Sequence, residues 1–220
     1  EYICNIALGF IMFYGGFNTK WKTARPVAVK AVLLSTCGVI LTAAFTMLFC
    51  YFVLRFPIAE SFLVGAVLSA TDAVSVFAIL RRKKLNLKDG VASLLEIESG
   101  SNDPIAYMLT VIGIYILNGD NLIKVPYVIF AQIVYGVLIG IGLAVAAIYV
   151  LTRTDIIVNG LDTIFILAVV LLGLGLSQLV GGNEFLCIYL FGILLGNSRI
   201  RNKGNICLLY TSDAADDLTR

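Results

Sequence analysis

The chain has 220 residues, 60% of them apolar and 14% charged, with a mean hydropathy of +0.96. Ordinary soluble domains are roughly 45–50% apolar and about 25% charged, so this composition excludes a water-soluble globular domain and gives a polytopic membrane protein. The net charge of +2 says little by itself; where the charges lie says more.

A helix needs about 20 apolar residues to cross the bilayer core. Seven such spans are predicted in chain order, over residues 2–17, 26–54, 58–80, 90–117, 125–151, 161–180 and 184–196. The first and last are short, and the second is long enough to tilt. The fold class expected is therefore all-α.

The connecting loops alternate in charge. One side holds Lys20, Lys22 and Arg25, then Arg81, Arg82, Lys83, Lys84 and Lys88, then Arg153, then Arg199, Arg201 and Lys203; the other holds Arg55 and Lys124. Twelve basic residues against two orient the chain as a multi-pass cell-membrane protein with the 81–88 loop in the cytoplasm. Topology explains the Arg-Arg-Lys-Lys run, so no nucleic-acid partner is expected; the partner is the lipid bilayer.

Cys4, Cys37, Cys50, Cys187 and Cys207 stand singly in apolar sequence, and histidine is absent. Zinc and disulfide frameworks need ligands clustered at short spacings, so the cysteines read as small apolar helix residues and no cofactor is expected. Glu1 opens directly onto an apolar run without a leader pattern, and truncation at both ends is expected. Residues 207–217 look like the in-frame translation of a transposon-based sequencing adapter. Residues 1–206 are thus expected to be the biological part, and Asp213, Asp216 and Asp217 carry no functional weight.

Four acids stand well inside the spans, away from their first turns: Asp72, Glu96, Glu98 and Asp103. An ionised Asp at a helix centre costs roughly 2.5–3.5 kcal/mol on insertion scales, so Asp72 and Asp103 together cost about 5–7 kcal/mol. Such groups must face a water-filled cavity, pair with a cation, or be protonated, and each state suits a transporter exchanging protons for metal ions.

At about 100° per residue, Glu96, Ser99 and Asp103 share one helix face, while Glu98 and Asn102 stack on another. Pro104 follows Asp103 and removes a hydrogen bond to the Gly100 carbonyl, which is expected to loosen the helix there. Ser69, Thr71, Asp72 and Ser75 form a polar island at mid-span, preceded by Gly65. Helices unwound at the midplane expose backbone groups to substrate, although Gly, Ser and Thr also occur at ordinary tight helix contacts.

These two segments carry a resemblance. Thr71-Asp72, an apolar stretch, a basic loop and then Glu98-Ser99-Gly100-Ser101-Asn102-Asp103-Pro104 resemble the NhaP-type cation:proton antiporters, related to the eukaryotic sodium/proton exchangers. The wording of the N-terminal half, with FYGGF and LLSTCGVILTA, looks most like the bacterial potassium/proton antiporter branch. The resemblance implies a fold of inverted repeats with a broken helix near Thr71-Asp72. It implies that Asp103 alternately binds a proton and K⁺ or Na⁺, with Asn102, Ser99, Thr71 and Asp72 around it and the cation at Asp103, Thr71 and Ser99. Asn102 matches a position that is Asn in electroneutral members and Asp in many electrogenic ones. Glu98 matches a glutamate that pairs with an arginine on a helix beyond this chain. Assembly as a homodimer is also implied.

One departure is that Tyr14, rather than an acid, precedes Gly15-Gly16, which leaves ion preference open. Those glycines read simply as a helix end, as does GILLGN over 192–197. Three rival readings stand beside the antiporter. One is a cation channel; another is an intramembrane aspartyl protease, whose YD and GxGD motifs differ from the TD and ND here. The third is inert helical packing.

Overall fold

The computed structural model describes residues 2–71, 91–153 and 161–198. Among these residues are seven α-helices, one 3₁₀ turn and no strand. The helices are α1 (Tyr2–Asn18), α2 (Trp21–Phe52), α3 (Ile58–Val67), α4 (Val91–Leu117), α5 (Val125–Arg153), α6 (Leu161–Leu179) and α7 (Glu184–Asn197), with the 3₁₀ turn Leu122–Lys124 leading into α5. Three segments are long and apolar enough to cross a membrane: Trp21–Phe52, Leu122–Arg153 and Asp162–Leu179. Large apolar side chains such as Leu33, Phe45, Phe130, Leu138 and Leu179 lie exposed along these helices. In water such surfaces would associate; in a bilayer they are solvated.

The helices pack in two groups. α7 is the centre of one, enclosed by α1, α5 and α6. Its residues are buried nearly all round, including Phe185, Ile188, Phe191 and Leu195. A helix with apolar residues on every face suits such a position. The second group is α2, α3 and α4. α2 turns a stripe of small residues inward, Ala24, Ala31, Ser35, Ala43 and Cys50 among them, and Gly65 of α3 sits against the Ala43 carbonyl. α4 touches both groups, which makes it the hinge of the arrangement.

The helices fall close to the predicted apolar segments, with two corrections. α2 begins at Trp21 and runs through Pro26, because Asn197 at the end of α7 satisfies an end group of the new helix: its Oδ1 accepts from the Trp21 backbone N–H at 2.9 Å. Its Nδ2 donates to the Thr19 carbonyl at 2.8 Å. The third span does not run unbroken from 58 to 80: α3 stops at Val67, and Thr71 is non-helical.

The paired glycines fall at the end of α1 and residues 192–197 at the end of α7, as expected, but Gly16, Gly192 and Gly196 do more than end a helix. Gly16 is buried, and a Cβ there would collide with the Tyr189 carbonyl of α7. A Cβ at Gly192 would lie 2.5 Å from the Phe13 carbonyl, and one at Gly196 would strike the Phe17 carbonyl. These positions are therefore the contact at which α1 and α7 cross backbone to backbone, the small-residue packing that lets apolar helices associate in lipid. Cys4, Cys37, Cys50 and Cys187 are free thiols, as expected.

Candidate functional site

The site grows from two elements that meet. α3 ends at Val67, Ser69 caps the turn by donating its Oγ to the Ala66 carbonyl at 2.6 Å, and the chain reaches Thr71 outside any helix. Asn102, 1% exposed on α4, reaches it. Its Nδ2 donates to the Thr71 carbonyl at 3.0 Å and to the Thr71 hydroxyl. A backbone carbonyl outside a helix has no helical donor, and Asn102 provides one from 31 residues away. Asn102 Oδ1 is buried and accepts no hydrogen bond from the described residues.

Asp103 is the next residue and is half-buried, as are Ser99 one turn before it and Glu98. The structure thus brings Thr71 against Asn102, on the stretch of α4 that also carries Ser99 and Asp103. Asp72 and the 81–88 loop lie outside the described residues, as do the Glu96 side chain and residues 207–220.

α4 stays helical through Pro104, so the expected loosening does not break it. What holds this turn is α7. Asn183, fully buried, donates its Nδ2 to the Pro104 carbonyl at 2.8 Å, while its Oδ1 accepts from the Leu186 N–H at 3.0 Å and caps α7. Gly100 serves a second contact between the same helices: the Tyr189 ring of α7 lies where a Cβ at Gly100 would stand. Any larger residue at position 100 would displace the Tyr189 ring from this contact.

Three residues in this region escaped the sequence reading. Asn183 lies between two predicted spans and Tyr189 within the last, and neither was singled out. Glu184, which opens the last predicted span, is 2% exposed, and its Oε1 accepts from Asn5 Nδ2 of α1 at 2.9 Å. Its place between Asn183 and an apolar run was the available signal.

The family model described as the sodium/hydrogen exchanger, transmembrane, matches residues 1–214. The chain belongs to the sodium/hydrogen exchanger family. It is 34% identical over 208 residues to the K(+)/H(+) antiporter NhaP2 of Shewanella sp. (strain ANA-3), covering 93% of this chain and 36% of that protein. The K(+)/H(+) antiporter NhaP of Alkalimonas amylolytica is 34% identical over 200 residues, covering 90% of this chain and 35% of that protein. The Na(+)/H(+) antiporter NhaS2 of Synechocystis sp. (strain ATCC 27184 / PCC 6803 / Kazusa) is 26% identical over 204 residues, with 91% and 37% covered. The chain therefore spans about a third of the length of these exchanger relatives. Membership in a family of membrane antiporters sets aside the protease reading: the chain is not an enzyme.

Proposed function

We propose that the whole protein is a secondary active transporter that exchanges a monovalent cation, K⁺ or Na⁺, for protons, and that Asp103 holds the two in turn. The observation that carries this reading is the link from Asn102 to Thr71, directly beside Asp103. It ties a non-helical carbonyl and hydroxyl to the helix bearing the acid, and hard oxygens are what an alkali ion accepts in place of water. Burial favours the neutral acid, whereas a cation favours the carboxylate, so each ligand displaces the other.

Ser99, on the same stripe as Asp103, supplies a further hydroxyl. Asp72 completes the oxygen set, and Glu98 pairs with an arginine elsewhere in the whole protein. Rocking one helix group against the other carries the occupied site between the two sides of the cell membrane, with the 81–88 loop cytoplasmic. Asn102 in place of a second acid makes the exchange electroneutral, and a homodimer is the assembly.

The test uses whole protein in sealed vesicles with an imposed pH gradient. Addition of K⁺ or Na⁺ should collapse the gradient in a saturable way without generating a membrane potential. A non-saturable cation current would favour a channel instead.

A further inference from the structure

A pocket of about 240 Å³ lies between the C-terminal half of α4, the start of α5 and the turn that joins α6 to α7. Gln132 lines it, is 3% exposed, and has no hydrogen-bond partner for either Oε1 or Nε2 among the described residues. Burying an amide with both ends unmet is expensive, and a side chain needed only for bulk would be apolar. Tyr107, Tyr115 and Tyr127 add phenol groups to the wall, and Gln178 a second amide.

An acid lies close by: Glu184 is two residues beyond Gly182 of the pocket wall and adjoins Phe185, whose ring meets the Tyr107 ring with centroids 5.0 Å apart, and its buried Oε2 has no hydrogen-bond partner among the described residues. Among the described residues no Lys or Arg lines the pocket. An anion would meet Glu184 and no described basic group, whereas a cation would meet amide and phenol oxygens backed by that acid. At about 30 Å³ per water, the volume suits an ion that keeps several waters rather than a bare one.

The pocket also begins one turn along α4 from the site already described: Tyr107 of its wall follows Asp103 by four residues. We infer that this pocket is a second cation site, where Gln132 and Tyr107 hold a hydrated monovalent cation in the field of Glu184. The inference rests on the antiport reading, because it makes the pocket a waiting position on the route to Asp103.

The experiment measures equilibrium binding of radiolabelled Rb⁺, against a choline background, to the whole protein in nanodiscs. The Asp103→Asn protein should still bind Rb⁺, and adding Gln132→Leu or Glu184→Gln should weaken that binding at least about tenfold. Leucine of similar shape in place of an unpartnered amide is close to neutral for folding. Should it nonetheless fail to fold, Tyr107→Phe removes only the hydroxyl and should weaken binding in the same sense. Absence of Rb⁺ binding to Asp103→Asn, or binding unchanged by these second substitutions, would overturn the pocket assignment. Failure of wild-type vesicles to exchange cations for protons would overturn the antiport reading instead, and the two results are read separately.

Discussion

Asn102 of α4 and Thr71 at the end of the α3 segment are joined twice, through the Thr71 carbonyl at 3.0 Å and through its hydroxyl, with Asn102 almost fully buried. One side-chain amide thereby fixes a non-helical strand of backbone against the helix that bears Asp103. Interhelical polar contacts in membranes average about 0.6 kcal/mol and reach about 1.7. Because Asn102→Ala leaves the Thr71 carbonyl without this donor, the loss should lie near the upper end, about 1–2 kcal/mol. Thermal unfolding in detergent checks the stability, and vesicle exchange should fall more steeply than stability does.

Asn183 joins two jobs, and they can be separated. Asn183→Asp keeps the oxygen that caps α7 but loses the donor to the Pro104 carbonyl; Asn183→Ala loses both. The cap alone is worth about 1 kcal/mol. The Asp variant should therefore retain α7 yet impair exchange, and the Ala variant should be the less stable of the two by roughly that amount. Equal stability of the two variants in thermal unfolding would argue against the cap.

Gly100→Ala should force Tyr189 out of its place, at a cost of about 1–3 kcal/mol for overpacking. Tyr189→Leu, by removing the ring, should recover much of that loss in the double variant. A double-mutant cycle on unfolding midpoints measures the coupling, and strict additivity would mean the two residues do not press on each other.

The α1–α7 crossing gives a sharper contrast among glycines. Gly196→Ala places a methyl against the Phe17 carbonyl, so folded yield in membranes should drop strongly. At Gly142 and Gly175 a Cβ meets nothing within 4 Å. Alanine there should instead stabilise its helix by about 0.5–1 kcal/mol. Size-exclusion profiles of the solubilised variants report the difference.

The helices were legible because each follows an apolar run, and length and composition alone suffice for that. Their ends were less so: α2 begins at Trp21 rather than near Pro26 because Asn197, distant in sequence, accepts from its first N–H. The stop of α3 at Val67 was signalled by the small and polar residues around Ser69 and Thr71, but not its position. Asn102, Asp103, Ser99 and Thr71 stood out as polar residues in apolar surroundings. Asn183, Tyr189, Gly192 and Gly196 did not, because their importance lies in which backbone they approach, and no local pattern encodes that. Glu184 opens α7, and an acid at a helix N-terminus is ordinary.

The central claim is that one carboxyl group serves proton and cation in turn, and the direct measurement is exchange by whole protein with Asp103→Asn in vesicles of known orientation. Asp103→Asn should abolish cation-driven collapse of the pH gradient with K⁺ and with Na⁺ while the protein remains folded. In the wild type, raising the proton concentration should raise the half-saturating cation concentration, as competition at one site requires. Exchange by Asp103→Asn at the wild-type rate would contradict the account.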